Sequence, residues 1–328
     1  MVPPERPGYT GKRRREGVME TMRAVRVSRF GGPETLEIQN LPKPRPGAGE
    51  ALVRVAAAGV NPADWKMREG LFKDLRLPFT PGSDFCGIIE ELGEGASGFK
   101  KGDVVFGCAK GGDSGADAEY LAVSLKNMAL KPRTLEPVEA AGVPVVGMTA
   151  WQGLYTHGHL KSGETVLILG ASGAVGGVAV QLAKRVGARV IGTASGENIA
   201  RLRSLGCDEV IDYERQRVED VARGVDLCLD LVGGDLQLRA FETLKRGGRL
   251  FSTVSAPDPA LARRRGITAE FFAMKPDAAQ LLELAMKIDA GELQVPVAKV
   301  LPLERAAEAE ELNRRHSVRG KIVLRVGP

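Results

Sequence analysis

A single stretch decides the fold: Glu164–Lys184, with the sequence ETVLILGASGAVGGVAVQLAK. An apolar run ends at Gly170, glycines recur at Gly173 and Gly176, and a helical pattern follows. Glycines in such a turn let the backbone approach a pyrophosphate, and the amides at the helix start then face the anion. The spacing GxxGxxG is a weak motif alone, but between a buried strand and a helix it predicts a dinucleotide-binding turn. The other interpretation is that these glycines only allow close packing of the helix on the strand.

The sequence after this turn continues as an alternation of buried strands and amphipathic helices. The pattern predicts these elements at Val166–Leu169, Ala174–Val186, Arg189–Thr193, Asn198–Leu205, Glu209–Ile211, Arg217–Arg223, Val225–Leu231, Leu236–Leu244 and Arg249–Val254. Apolar strands separated by helices indicate an α/β domain whose parallel sheet is covered on both faces.

The two ends of the chain have a different pattern. From Met22 to Lys131 short alternating or apolar runs are separated by Gly and Pro clusters, which predicts a small β-barrel-like unit. The last segment predicts helices at Asp277–Ala290 and Leu303–Arg315 and a terminal strand at Lys321–Val326. We expect that strand to return and pair with the first domain.

Composition excludes several classes of protein. With 328 residues, 43% of them hydrophobic and 27% charged, the chain matches an ordinary globular protein of about two domains. Most of the excess positive charge lies in residues 1–17, and aromatic residues are scarce, so we expect no nucleic-acid partner. None of the four cysteines forms a CxxC pair. The absence of an apolar leader or a convincing membrane span predicts a cytoplasmic protein with no membrane partner.

The strand after the glycine turn bears on the choice of nucleotide. Folds that select NAD usually have an acidic residue about 20 positions on, which binds the ribose 2′-hydroxyl. Ser195 occupies this region instead, and a small neutral residue leaves room for a 2′-phosphate. Arg201, Arg203 or Tyr213 could bind that phosphate, so we predict NADPH. The arginines could equally form a solvated helix face.

Taken together, the motifs resemble the medium-chain dehydrogenase/reductase superfamily, in its zinc-free quinone oxidoreductase (zeta-crystallin-like) branch. The resemblance covers roughly Met22 to Val326. Besides the glycine turn, its motifs are GVNPAD at Gly59–Asp64, PGSDFCG at Pro81–Gly87, GDVV at Gly102–Val105, MTAW at Met148–Trp151, VIDY at Val210–Tyr213 and GKIVL at Gly320–Leu324.

The resemblance implies a GroES-like, β-rich catalytic domain from residues 22–143 and 276–328, a Rossmann domain from residues 144–275, and a homodimer. Residues 1–21 would be a disordered tail. The cofactor contacts that we assign on this basis are Asn61, Thr149, Gly170, Ser172, Gly173, Ala174, Val175, Ser195, Arg201, Tyr213, Val232 and Lys321.

Departures from the zinc-dependent relatives indicate the chemistry. Where those relatives carry a catalytic Cys this chain has Asn61, and where they carry Gly-His-Glu it has Gly82-Ser83-Asp84. Asn and Ser are poor zinc ligands, so we predict no metal. Without a Lewis acid an alkoxide is hard to stabilise, whereas quinones and α,β-unsaturated carbonyls delocalise the incoming charge themselves.

Three residues are the candidates for catalysis. Lys66 is the preferred polarising or cofactor-orienting group, Asn61 is the second choice, and Asp64 is a positioning group. Lys66 could also be a solvated helix lysine, and Asp64 a turn or N-cap carboxylate.

The sequence therefore predicts an NADPH-dependent, metal-independent quinone or enone reductase. Three alternatives stay open: an enoyl-thioester reductase, a non-catalytic NADPH-binding protein, and a zinc alcohol dehydrogenase with unusual ligands.

Overall fold

A computed structural model describes residues 20–109, 114–318 and 320–327. The tail predicted for residues 1–21 lies outside these ranges as far as residue 19, and the first strand already begins at Thr21. Within the described ranges, we find no helix with the length and apolar character needed to cross a membrane.

The N-terminal part of the chain forms a β-hairpin and most of a larger sheet. Its elements are β1 (Thr21–Val27), β2 (Leu36–Pro42), β3 (Glu50–Val60), α1 (Pro62–Arg68), β4 (Asp84–Leu92), β5 (Val104–Cys108), β6 (Tyr120–Ser124) and β7 (Met128–Leu130). Strand β1 pairs antiparallel with β2, while β3 pairs antiparallel with both β4 and β6. Because α1 follows β3 directly, Asn61 lies at the junction of a central strand and a helix.

Two short helices and a π-helical turn, Gln152–His157, lead into the second sheet. The elements of this part are α2 (Pro137–Ala140), α3 (Pro144–Trp151), β8 (Thr165–Leu169), α4 (Ala174–Arg185), β9 (Arg189–Ala194), α5 (Asn198–Ser204), β10 (Glu209–Asp212), α6 (Val218–Val221), β11 (Val225–Asp230), α7 (Gly234–Thr243), β12 (Leu244–Ser252), α8 (Pro259–Arg265) and β13 (Thr268–Phe271).

This second sheet is parallel, with the strand order β10-β9-β8-β11-β12-β13. The chain winds from β8 to β10 in one direction and from β11 to β13 in the other, which is the doubly wound arrangement of a Rossmann fold. Ligands of such sheets bind beyond the carboxyl ends of the two central strands, where the winding reverses. Here those ends belong to β8 and β11, so the glycine turn after β8 lies at the expected position.

The C-terminal elements are α9 (Ala278–Asp289), β14 (Val297–Pro302), α10 (Ala306–Arg314) and β15 (Lys321–Arg325). Strand β15 pairs antiparallel with β3, with Ile322 opposite Val60. The two ends of the chain therefore form one sheet, as we expected for the last strand. This register also brings Lys321 beside Asn61.

The apolar core explains why the strands of the parallel sheet are recognisable. On β8, Val166 and Ile168 face one apolar cluster, and Leu167 and Leu169 face the other. The first cluster also contains side chains of the N-terminal sheet, such as Phe106. The predicted α/β fold class with its two kinds of sheet is confirmed, while the domain limits at 143/144 and 275/276 stay predictions.

Several elements were not predicted individually, among them α2, α3, α8, β13 and β14. The β13 strand lies at the edge of its sheet and leaves most of its side chains exposed, so it has no apolar run that a sequence pattern could show. Strand β14 is also an edge strand and buries one residue fully, Leu301.

Candidate active site

The glycine turn packs so tightly against the start of α4 that Gly176 has no room for a side chain. Gly170 has φ +76°, a value that favours glycine, and its amide donates to Thr193 Oγ1 at 2.9 Å. The amide of Gly173 donates back to the Gly170 carbonyl at 3.0 Å. A Cβ on Gly176 would lie 2.4 Å from the Gly170 oxygen and 2.5 Å from Ala171 Cα, so the first turn of α4 packs directly on the loop. The glycines thus serve both functions considered for them, close packing and an open approach to the backbone.

Helix α4 begins at this turn without a capping side chain. Gly173 is the N-cap residue, and no side chain in the described part of the chain caps the first-turn amides of Ala174 and Val175. Such amides, at the positive end of a 12-residue helix, bind an anion well. The Arg201 guanidinium donates to Ser172 O at 3.4 Å and adds positive charge beside the turn. This cradle fits a dinucleotide pyrophosphate.

The carboxyl ends of β9 and β10 carry the residues Ser195 and Tyr213, which were predicted for the adenosine end. Ser195 Oγ donates to Tyr213 OH at 2.8 Å, and the Tyr213 side chain is exposed. Asn198 Nδ2 donates to the Ser195 carbonyl at 3.4 Å. The structure brings Ser195 and Tyr213 together with neutral polar groups, which is the environment expected to tolerate a 2′-phosphate.

Asp230 organises the loop at the end of β11, and the sequence analysis did not single it out. Its Oδ1 accepts hydrogen bonds from the amides of Val232 (3.0 Å) and Gly233 (2.8 Å). Its Oδ2 accepts from Gln237 Nε2 (2.9 Å) and Ser252 Oγ (2.7 Å). The loop so formed places Val232 against Gly170. In the sequence, Asp230 could have been recognised as an acidic residue near the end of an apolar strand, shortly before two glycines.

Asn61, Asp84 and Lys321 form a buried polar cluster between α1, β4 and β15. The Lys321 ammonium donates to Asn61 Oδ1 at 2.5 Å and to Asp84 Oδ2 at 2.7 Å. Asn61 Nδ2 donates to Asp84 Oδ2 at 3.0 Å and to Gly59 O at 3.2 Å. Both N–H bonds of the Asn61 amide are therefore used inside the protein, whereas Lys321 uses two of its three. This differs from our expectation that Asn61 could offer a donor to a substrate.

Asp84 links this polar cluster to the nucleotide side of the molecule. Its Oδ1 accepts a hydrogen bond from the Val145 amide at 2.7 Å, in the first turn of α3. One turn later on α3, Thr149 donates to the Val145 carbonyl at 2.6 Å, and α3 packs on α4. The Cys108 thiol lies 3.7 Å from the same Asp84 oxygen, and burial raises the pKa of that thiol well above its usual range. The sequence motif contained Asp84, but we had given it no role.

The other predicted catalytic residues lie on opposite faces of α1. Asp64 is buried, and its Oδ2 accepts a hydrogen bond from the Asn61 amide at 2.7 Å, so Asp64 is the N3 residue of a capping box whose N-cap residue is Asn61. Burial raises the pKa of the Asp64 carboxyl to about 7. Two residues along the helix, Lys66 points away from Asp64, and its ammonium lies 5.5 Å from the centre of the Trp65 ring. A role for Lys66 in catalysis stays a prediction.

Arg68, one turn after Asp64, is wholly buried in an ion-pair network. Its Nε donates to Glu310 Oε2 at 2.6 Å and its Nη2 to Glu311 Oε1 at 3.2 Å. Burial raises the pKa of Glu310 to about 8, and the neighbouring Asp64 carboxylate adds to this shift. Arg68 lowers the pKa of Glu310, but it pairs with both Glu310 and Glu311, so its charge is shared between the two carboxylates.

These raised pKa values predict that stability decreases towards alkaline pH. A buried carboxyl whose pKa is above its unfolded value favours folding at low pH, and that contribution is lost as the pH rises through the folded-state value. Asp64 and Glu310, with pKa values of about 7 and 8, place this loss between about pH 5 and 8. Each group loses about 1.4 kcal/mol per pH unit, over two units for Asp64 and three for Glu310, so we expect the free energy of unfolding from urea titrations to fall over this range by on the order of 7 kcal/mol.

Glu310→Gln should flatten the decrease, because a neutral amide has no proton to lose. The exposed Glu214→Gln variant should follow the wild type. An unfolding free energy that is constant or rises from pH 5 to 8 would contradict the assignment.

Two family models match this chain: the alcohol dehydrogenase GroES-like domain over residues 47–133, and the zinc-binding dehydrogenase over residues 205–324. The chloroplastic NADPH-dependent alkenal/one oxidoreductase of Arabidopsis thaliana is 32% identical over 94% of this chain and 80% of its own length. The quinone oxidoreductase of Homo sapiens is 32% identical over 92% of this chain and 97% of its own length. The chain belongs to the medium-chain dehydrogenase/reductase superfamily, in the quinone oxidoreductase branch. The family predicted from the motifs is confirmed.

The solved structures agree with this family. A quinone oxidoreductase from Coxiella burnetii has a TM-score of 0.89 and 32% identity, covering 94% of this chain and 100% of that one. The GroES-like match contains Asn61 and Asp84, whereas Lys321 lies at the end of the second match. The polar cluster thus joins residues of both family matches within the one sheet that the two ends of the chain share.

Proposed function

We propose that this chain is an NADPH-dependent oxidoreductase that reduces quinones or α,β-unsaturated carbonyls without a metal ion. One observation carries the proposal: helix α3 joins the open glycine turn to the buried polar cluster around the Lys321 ammonium. The names of the alkenal/one and quinone oxidoreductase relatives support it.

The residues present fit a dinucleotide. Gly170, Ser172, Gly173, Ala174 and Val175 would hold its pyrophosphate, with Arg201 beside them. Ser195 and Tyr213 would meet the adenosine end, and Thr149, Val232 and the Asn61–Lys321 pair the nicotinamide end. The bound nicotinamide would supply a hydride to the acceptor. The contribution of the chain is to hold donor and acceptor in contact and to exclude water from them.

The side chains of the polar cluster support chemistry without a metal. Position 61 offers an amide oxygen that is already bonded to an ammonium, and position 83 offers a serine. The Asp84 carboxylate is paired with Lys321, so a second cation there would be repelled. Over residues 20–109, 114–318 and 320–327, we find no group of three or more His, Cys, Asp or Glu side chains suited to a metal ion.

An ammonium and hydrogen-bond donors stabilise a developing oxyanion less than a zinc ion would. Acceptors that delocalise the charge over a conjugated system, such as quinones and enones, suit this weaker site. The cytoplasmic location and the homodimer also remain proposals, which fractionation and light scattering would test.

The direct test follows NADPH oxidation at 340 nm with a panel of small quinones, enones and simple ketones. We expect turnover with the first two classes and little with ketones, with no change after treatment with a chelator. Loss of activity on chelation, restored by zinc, would contradict the metal-free proposal. Binding of NADPH without turnover of any acceptor would favour a non-catalytic protein.

The nucleotide preference can be tested at Ser195. Ser195→Asp would place a carboxylate beside the 2′-phosphate, so we expect the KM for NADPH to rise roughly tenfold, equivalent to about 1.4 kcal/mol. The KM for NADH should change little. Ser195→Asn, which is similar in size but uncharged, is the matched control. An equal effect of Asp on both nucleotides would show that the phosphate lies elsewhere.

A further inference from the structure

Three buried carboxyl groups behind Asn61 each have an oxygen that finds no hydrogen-bond partner among residues 20–109, 114–318 and 320–327. The atoms are Asp64 Oδ1, Asp117 Oδ1 and Glu310 Oε1. The exposed fractions of these three residues are 1%, 3% and 1%. A buried ionised oxygen without a partner is strongly unfavourable, so such a group is expected to carry a proton or to meet one.

The three carboxyl groups share one region of the interior. Asp64 and Arg68 lie one turn apart on the same face of α1, and Arg68 bonds Glu310. Gly82 connects the other pair, because its amide approaches the Asp64 carboxyl while a Cβ on it would lie 2.4 Å from Asp117 Oδ1. We call Asp64, Asp117 and Glu310 the carboxyl triad.

The charges around the carboxyl triad do not balance if it is fully ionised. Among the described residues, the cations that face it are Arg68 and Lys321, and Lys321 is matched by Asp84. Arg68 pairs with Glu310 and Glu311, and Glu311 also contacts Arg314 and Arg315. Within this part of the chain, one cation, Arg68, therefore remains for the three carboxyl groups of the triad. Burial and the neighbouring carboxylates accordingly raise the pKa of Asp117 well above its usual range, as they raise those of Asp64 and Glu310.

We propose that the carboxyl triad holds shared protons at neutral pH and is the internal store from which the reduced acceptor is protonated, through Lys321. The inference rests on the proposed reductase function. An acceptor that has received a hydride carries a negative oxygen and needs one proton. The Lys321 N–H that is not bonded to Asn61 or Asp84 can donate it. Asp64, whose carboxyl interacts electrostatically with the Lys321 ammonium, then returns a proton to Lys321 and becomes a carboxylate.

The carboxyl triad can be refilled from the surface through Glu310 and Glu311. The Glu311 side chain is 15% exposed and bonded to Arg68, so it connects the buried groups to solvent. One proton leaves the triad in each turnover and one returns from water, so the protein is unchanged after the cycle.

Infrared spectroscopy of the full chain tests the stored protons without any substrate. At pH 7 we expect C=O bands of protonated carboxylic acids that shift in D₂O and weaken between about pH 7 and 8, where Asp64 and Glu310 ionise. Glu310→Gln and Asp117→Asn should each remove part of this signal, and the exposed Glu214→Gln variant should not. A wild-type spectrum without protonated carboxyl bands at pH 7 would overturn the proposal, even if the variants did not fold.

The pH dependence of kcat tests the catalytic part. In the wild type we expect kcat to fall above about pH 8, and in Glu310→Gln we expect the fall to begin about one pH unit lower, near the pKa of Asp64. At pH 8 the variant should be about fivefold slower, with the KM for NADPH unchanged. If kcat fell over the same alkaline pH range in the wild type and in Glu310→Gln, the catalytic role of the carboxyl triad would be overturned. If the wild type reduced no acceptor, the proposed function would be refuted instead. The infrared result would then still show whether the carboxyl triad holds protons at neutral pH.

Discussion

Alanine at position 176 should abolish nucleotide binding, whereas alanine at the next position, 177, should leave it intact. A Cβ at Gly176 would lie 2.4 Å from the Gly170 carbonyl oxygen and 2.5 Å from Ala171 Cα. Both contacts are to backbone, so the glycine turn must open and its amides must leave their positions. We expect the dissociation constant for NADPH, measured by fluorescence titration, to rise at least about 100-fold, or about 2.8 kcal/mol.

Gly177→Ala is the matched control. Its Cβ would meet Leu205 Cδ1 at 3.6 Å and Arg201 Nη2 at 3.7 Å, which are ordinary contacts. Since Gly177 lies within α4, the substitution should stabilise the protein by up to about 1 kcal/mol and raise the melting temperature. Equal losses of affinity in the two variants would show that the turn does not depend on the contact at Gly176.

The glycine turn could be predicted from sequence because the features that define it are local. Strand, turn and helix follow one another within residues 164–185, and an apolar strand buried on both faces is visible as a continuous run. The same locality explains why the adjoining strands and helices were predicted within a few residues of their observed limits.

The polar cluster could be predicted only in part, because its members come from distant segments. Asn61, Asp84 and Lys321 meet because β15 pairs with β3 and β4 lies on the other side of β3. Motifs identified the three positions, but hydrogen-bond partners are set by this pairing. For that reason the sequence could not show that both N–H groups of the Asn61 amide donate hydrogen bonds inside the protein.

Helix α1 shows a second limit of the sequence analysis. Its short length makes the direction of each side chain uncertain until the partner element is known. The partner is α10, whose Glu310 pairs with Arg68 and so defines the buried face. Asp64 lies on that face and Lys66 on the other, a distinction that residue type alone could not make.

Removing the charge of Asp84 should have the largest effect on stability of any substitution considered. Asp84→Asn leaves the Lys321 ammonium, which is 2% exposed, without its 2.7 Å partner. Breaking a buried ion pair from one side destabilises a protein by about 3–5 kcal/mol, since an uncompensated charge remains. We expect a loss of this size in urea unfolding, together with loss of turnover.

The pair Lys184–Asp208 provides a matched control on the surface. Its atoms are 2.8 Å apart with side chains 34% and 37% exposed, and Asp208 also accepts a backbone amide, from Val190, as Asp84 accepts that of Val145. Asp208→Asn should therefore destabilise by less than about 1 kcal/mol. Combining Asp84→Asn with Lys321→Met should recover much of the lost stability, because no buried charge is then unpaired, but not the turnover. If Asp84→Asn and Asp208→Asn had equal effects, or if the double variant were the least stable, Lys321 and Asp84 would not be a buried ion pair in solution.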